Sequence, residues 1–356
     1  MLSSFAEIPG EVRRRVRRGE RVALIVLDAF GLEFLHRHES HPLVQQLAVT
    51  PLQTQFPSTT TAHVTTLHFG RPVHEHGLYE WNVLEPSLGT IICPLRFNLA
   101  GSDVDDDLAG CLDPSALVPG PTLYETLGAP ALVLSPRRIE RSTYTRLATR
   151  GATVMGFDAL VEGMSLLRDR LTAADAPGYV FLYWDLIDRT GHERGPGSAV
   201  FASVARAALD ALAAGLDGLA GVTILITADH GQVKVSPERV DYLDELWPEL
   251  PSRLVHARPA GSSRDTFLHV RDGYTEEVIE QLSRRLGDRA QVRRPAELFG
   301  RIGPRLAARL GDVVVLPSSG RQVWLRSAAA NERWFRGQHG GLEPAETDTY
   351  LAEVVG

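Results

Sequence analysis

Three short apolar runs each close on an aspartate: VALIVLD at 22–28, GYVFLYWD at 178–185 and VTILITAD at 222–229. They are rich in β-branched or aromatic residues and too short for helices, so they read as strands. ALVLS (131–135) and DVVVLP (312–317) share the pattern. Helical stretches lie between them. The clearest is the Ala/Leu-rich SAVFASVARAALDALAAGLDGLA (198–220), with Ser198 placed to cap it after Gly-Pro-Gly. Strand alternating with helix implies an α/β fold with a mostly parallel central sheet and helices on both faces. Residues 232–311 read differently, with Pro237, Pro248, Pro251 and Pro259 ahead of one helical run, TEEVIEQLSRRLGD. We expect a small α+β insertion over 232–311 and a core built from 1–231 and 312–356, re-entered at the strand that begins near Asp312.

The chain has 356 residues, 44% of them hydrophobic, enough to bury a large core. A net charge of −7 argues against a general binder of nucleic-acid backbone. It leaves room for a small anion, because a bound metal inverts the local field. Cys93 and Cys111 are the only cysteines, too few for a disulfide framework or a thiolate zinc cluster. The basic stretch at 13–21 precedes an apolar run too short for a signal peptide, and no apolar run reaches membrane-spanning length. The expectation is a cytoplasmic protein with an amphipathic first helix and no membrane partner.

In open α/β sheets, ligands bind beyond the carboxyl ends of the strands. Asp28, Asp185 and Asp229 each stand at such an end. One strand-end Asp reads as readily as a helix cap, but three, two with a histidine nearby, point to a site. LITADHG sets Asp229 beside His230. Neighbours in a strand face opposite ways, so both reach one point only if the chain turns, which Gly231 permits. A carboxylate with an imidazole suits zinc or a similar ion. In YWDLIDRTGHERGPGS, Asp188 and His192 are four apart, on one side of a helical turn, though an exposed loop fits this segment alone equally well. His339 sits among Gly337, Gly340 and Gly341, with little local packing to satisfy, which favours a ligand role. In TQFPSTTTAHVTTLHFG, Pro57 and Ser58 open a helix at three threonines. Free N–H groups at a helix start bind phosphate oxygens, and a metal on a hydroxyl makes it a nucleophile. On these residues alone, simple capping by Ser58 or Thr59 explains the run as well.

Taken in order, IVLDAFG, FPSTTTAHVTTLHFGRPVHEHGL, YWDLIDRTGHERGPGS, ITADHG and GQHGGL resemble the alkaline phosphatase superfamily. More narrowly, they are similar to its type I phosphodiesterase/nucleotide pyrophosphatase members. The stretch from 25 to 342 carries the resemblance. It implies an alkaline phosphatase-like fold and two divalent ions, zinc first and manganese as the alternative, roughly 4 Å apart. Asp28, Thr60, Asp229 and His230 would surround one ion, and Asp188, His192 and His339 the other. Thr60, fifth from the Phe of the FPS motif, matches the family nucleophile. The backbone N–H of Thr61 would hold a phosphoryl oxygen. Asn82 would donate to phosphate, although it lies one position further than the simplest alignment requires. Three carboxylates against two divalent ions leave the site positive, as a phosphate demands.

The implied activity is hydrolysis of phosphodiester or nucleotide pyrophosphate bonds through a phospho-threonine. The implied partner is a small phosphate ester or nucleotide, with the oligomeric state open. A phosphomonoesterase or phosphonate hydrolase on the same scaffold is the alternative. A non-catalytic binding protein is more distant, because no ligand position is lost. A sulfatase would need C-x-P-x-R, which Cys93-Pro94-Leu95-Arg96 does not supply. A cofactor-independent phosphoglycerate mutase would be longer, with a serine nucleophile. No obvious basic residue lies near the threonine, which favours diesters over monoesters. Tyr79 and Trp81 are expected to wall the second ester substituent unless both rings pack in the core. His36, His38 and His41 read as a solvated helix end, and His63 as packing.

Overall fold

A computed structural model describes residues 2–328 and 334–355; Met1, residues 329–333 and Gly356 of the expected core lie outside the described residues. Its central sheet contains β1 (Val22–Leu27), β2 (Leu47–Gln53), β3 (Ala131–Pro136), β4 (Thr153–Phe157), β5 (Tyr179–Trp184) and β6 (Thr223–Thr227). A separate sheet holds β7 (Ala260–Ser262), β8 (Asp265–Leu268), β9 (Ala290–Arg293) and β10 (Val313–Pro317). The chain then returns to the central sheet as β11 (Asp348–Val354). The central order is β2-β11-β6-β1-β5-β3-β4. β1 runs parallel to β5 and β6, and β3 runs parallel to β4 and β5. Only β11 is antiparallel to its neighbours β2 and β6 among the described residues. This is the expected mostly parallel α/β sheet.

The re-entry point differs from the expectation. The strand expected to rejoin the core near Asp312 is β10, which pairs with β8 and β9 in the accessory sheet. Val313, Val314 and Val315 are fully buried. A valine run dictates burial on both faces but not which sheet provides it.

Alternation along β1 explains the layers. Ala23, Ile25 and Leu27 pack on one side with the helices Leu160–Thr172 and Ala199–Leu216. Val22, Leu24 and Val26 pack on the other with the helix Ile8–Arg17 and with Leu67 of the helix Thr60–Phe69. Every β1 residue is therefore buried. The helix Ala199–Leu216 is long and apolar enough to cross a membrane by length and composition, a property the sequence reading did not assign to any run. Its buried residues Phe201, Ala205, Ala208, Leu209, Leu212 and Leu216 form one stripe against the sheet. Arg206 and Asp210 stand 4.0 Å apart on its exposed side. This spacing is that of an amphipathic helix covering one face of the sheet.

Arg264, between β7 and β8, locks the accessory sheet to the core. It is 1% exposed and pairs with Glu346 at 2.8 Å and Glu343 at 2.9 Å. Glu346 also accepts from the backbone N–H of Gly341 at 3.0 Å. The ion pair thus holds the segment that carries His339.

Candidate active site

Sheet register builds the floor of the site. Leu27 pairs with Trp184, and Val26 with Thr227. Continuing both ladders sets Asp28, Asp185 and Asp229 side by side at the carboxyl edge. The Asp28 N–H still donates to the Trp184 carbonyl at 2.9 Å. Past β6, the backbone N–H groups of Ala29 and His230 both donate to Asp229 Oδ1 at 3.1 Å. Gly231 is needed for a different reason from the one expected. A Cβ there would lie 2.1 Å from the Ala345 carbonyl, so close packing of the returning segment excludes a side chain.

The helix Leu186–Arg194 presents Asp188 and His192 one turn apart, with His192 Nε2 3.2 Å from Asp188 Oδ1. His339 approaches the same oxygen, Nε2 to Oδ1, at 3.7 Å. Gln232 Nε2 donates to Asp188 Oδ1 at 2.9 Å and fixes that carboxylate. A Cβ on Gly191 would lie 1.8 Å from Gln232 Oε1. Gly191 in TGH, and Gly337, whose Cβ would lie 2.5 Å from the same oxygen, are sequence traces of Gln232, which sequence reasoning missed.

The three histidines share one arrangement. Nδ1 of His192 meets the Gly337 carbonyl, Nδ1 of His230 the Gly231 carbonyl, and Nδ1 of His339 the Ser58 carbonyl, each at 2.9 Å. A carbonyl only accepts, so each Nδ1 donates, and in the neutral rings of His230 and His339 Nε2 keeps its lone pair; burial lowers His192, but Asp188 outweighs it and holds that ring above its ordinary value. All three Nε2 atoms face carboxylates. His230 Nε2 lies 3.5 Å from Asp28 Oδ1 and 3.5 Å from Asp229 Oδ2. Acceptor against acceptor is repulsive unless a cation lies between, and histidine ligands are fixed in this way through their other ring nitrogen. Asp229 Oδ2 is buried without a hydrogen-bond partner.

Asp28, Asp229 and His230 each place a ligand atom within 4.8 Å of the others, as do Asp188, His230 and His339. These are two candidate metal-binding groups. His230, expected in one, faces both. His192 joins the second through its contact with Asp188.

The threonine helix aims the hydroxyl at this cluster. Thr59 is its cap, accepting from the Ala62 N–H at 3.4 Å and donating to the Tyr79 carbonyl at 2.7 Å. Thr60 is the first helical residue. Every later residue of the helix, Thr61 included, is buried, whereas Thr60 is partly open. Its Oγ1 lies 3.1 Å from His230 Nε2 and 3.5 Å from Asp28 Oδ1. The buried polar residues behind it are satisfied: His63 bonds the Thr59 carbonyl at 2.7 Å and the Gln55 N–H at 2.9 Å, and Thr65 meets the Tyr144 hydroxyl at 2.7 Å. His63 therefore packs, as expected.

Burial, with Asp229 and Asp188 close by, holds Asp28 well above the usual carboxylate range. Tyr183, not anticipated from the sequence, opposes this by donating its hydroxyl to Asp28 Oδ2. Burial raises Asp188 too, but His192 and His339 outweigh it and bring Asp188 below its ordinary value. Burial pushes His230 down to about 4 and His339 to about 3, so both imidazoles are neutral. Three crowded carboxylates and neutral imidazoles are a donor set for divalent cations.

Other expectations met a different outcome. Tyr79 is fully buried against Phe267 and Phe299, so it packs in the core and walls nothing. Trp81 is 46% exposed. Asn82 Nδ2 donates to the Gly261 carbonyl at 3.0 Å, which ties its loop to the accessory sheet. His41 is buried and meets Asp210 at 2.9 Å, so it is no solvated helix end. Asp185 makes no cap and pairs with Arg138, a basic residue at the same edge of the sheet that sequence reasoning did not place there.

A mostly parallel sheet with an Asp/His cluster and a threonine helix at its carboxyl edge marks the alkaline phosphatase superfamily. The sequence model of the type I phosphodiesterase / nucleotide pyrophosphatase family matches residues 122–342, and the chain belongs to that family. Asp28 and Thr60 lie ahead of the matched stretch. Ectonucleotide pyrophosphatase/phosphodiesterase family member 3 of Rattus norvegicus is 30% identical over 127 residues, 33% of this chain and 14% of that protein. The alignment thus spans about a seventh of that relative's length. Murine ectonucleotide pyrophosphatase / phosphodiesterase 5 shares the fold, with a TM-score of 0.72 at 18% identity over 94% of this chain and 88% of that one. An inactive form of the murine protein was solved with AMP. Phosphonoacetate hydrolase from Sinorhizobium meliloti 1021, solved with phosphonoacetate, gives a TM-score of 0.67 at 18% identity over 94% of this chain and 90% of that one.

Proposed function

We propose that this chain is a two-metal hydrolase that cleaves phosphodiester or nucleotide pyrophosphate bonds through a phospho-threonine on Thr60. One observation carries the reading: three Nε2 atoms and three buried carboxylates converge beside a single partly open threonine hydroxyl. Asp28, Thr60, Asp229 and His230 would hold one divalent ion, and Asp188, His192 and His339 the other, with zinc favoured by the mixed nitrogen and oxygen donors and manganese as the alternative. Such ions supply Lewis acidity and lower the pKa of a hydroxyl.

The chain itself supplies position. Thr60 Oγ1 forms the bond to phosphorus as the bond to the leaving oxygen breaks, and water later cleaves the phospho-threonine. The N–H of Thr61, in the first turn of its helix, is free of intrahelical partners and suits a phosphoryl oxygen. Asn82 would assist only if its loop shifts from Gly261.

Family membership and the nucleotide-cleaving relatives support diester and pyrophosphate substrates. Arg138 favours a second reading, a phosphomonoester or phosphonate, because a guanidinium answers the extra charge of such a group. Comparing kcat/KM for bis(p-nitrophenyl) phosphate and p-nitrophenyl phosphate decides between them, and a clear preference for the monoester rejects the diesterase assignment. A cytoplasmic location accompanies the proposal, supported by the unpaired thiols of Cys93 and Cys111.

A further inference from the structure

Arg138 follows β3 at the carboxyl edge and pairs with Asp185 at the end of β5. β5 separates β3 from β1, which ends at Asp28. Neighbouring strands lie about 4.8 Å apart, so the backbone of Arg138 stands roughly 10 Å from that of Asp28 along the edge. Its side chain reaches along that edge to Asp185, which the register of Leu27 with Trp184 sets beside Asp28. Arg189, one helical turn after Asp185, is exposed and adds a second positive charge on that side of the sheet edge.

Arg138 is not a general anchor of its loop. That task falls to its neighbour Arg137, which binds Asp158 at 2.8 Å and Glu162 at 3.0 Å. The Arg138 side chain remains 46% exposed while paired. A guanidinium carries five N–H donors, and one carboxylate leaves some of them open to solvent.

We propose that Arg138, steadied by Asp185 and reinforced by Arg189, selects substrates that bear a second anionic group a few bonds from the reacting phosphorus. A carboxylate and a further phosphoryl group both fit, since each offers paired oxygens to a guanidinium fork. The inference rests on the reading of Thr60 and Asp28 as the reaction centre.

The test is calorimetric binding to metal-loaded Thr60→Ala protein, which cannot turn over. Methylphosphonate has one anionic group; phosphonoacetate and methylenediphosphonate add a carboxylate and a second phosphonate respectively. At least one of the latter two should bind tenfold or more tightly than methylphosphonate. Arg138→Ala should bring that ratio close to one, and Arg138→Lys should restore part of it, which a purely structural role would not do. The ratio staying unchanged in Arg138→Ala, all affinities falling together, or no preference in the parent protein would each overturn the proposal. Hydrolysis of bis(p-nitrophenyl) phosphate by the wild type reports separately on the reaction centre, so the two readings fail independently.

Discussion

His230 and His339 stack with ring centroids 3.7 Å apart and planes 18° from parallel. One follows β6, and the other lies on the return from the accessory sheet. The stack joins the two ligand groups and bonds the Ser58 carbonyl, two residues before Thr60.

Removing either ring should therefore cost more than one ligand. His339→Ala is expected to lower bound metal from about two ions per chain to one or fewer, measured by mass spectrometry of the dialysed protein. His63→Ala should keep both ions and lose stability instead, because its ring satisfies Thr59 and Gln55 and packs edge-on against Phe5.

The threonines divide by role. Thr60→Ala should reduce turnover on the order of a thousandfold or more with an unchanged melting temperature. Thr59→Ala removes the helix cap and the bond to the Tyr79 carbonyl. It should cost about 1–2 kcal/mol in denaturant unfolding with a milder loss of rate. If Thr59→Ala proves the dead variant, the register of the nucleophile is off by one.

Tyr183→Phe deletes the donor to Asp28. A hydrogen bond to a charged group contributes about 1.5–3 kcal/mol, so kcat/KM should fall ten- to a hundredfold. Asp28 is then more easily protonated, and the acid limb of the pH–rate profile should move to higher pH. A profile that only drops, without moving, would limit Tyr183 to packing.

A second buried acid cluster predicts the pH dependence of stability. The carboxyls of Glu80 and Asp265 meet in the interior, where Ser262 Oγ donates to Asp265 at 2.6 Å. Burial raises Glu80 from 4.5 to about 7. Between these values the folded chain holds more protons than the unfolded one, so its contribution is full below 4.5 and lost as pH rises through 7. Glu80→Gln should flatten the decline in melting temperature over that window. An equal decline in the variant would assign it to other groups.

The sequence displayed what strand pattern and spacing encode. The Asp-terminated runs became adjacent strands, and the motif histidines converged on their carboxyl edge, His230 just past β6, His192 on the helix after β5 and His339 on the returning segment. What stayed hidden depends on partners distant in the chain. DVVVLP has the same burial in either sheet, so only β8 and β9 decide its place. Gln232 and Tyr183 act on Asp188 and Asp28 through contacts that no local pattern marks. Tyr79 and Arg138 depend on distant partners in the same way: the fold chose the core for the first, against Phe267, and placed the second, which no motif had marked, at the site edge beside Asp185.

The proposed phosphoryl transfer at this cluster depends on bound divalent ions. Its most direct test is hydrolysis of bis(p-nitrophenyl) phosphate before chelation, after chelation with extended dialysis, and after zinc or manganese is restored. Activity should vanish with the metal, return with it, and be missing throughout in Thr60→Ala. Full turnover by the wild type in excess chelator would contradict it.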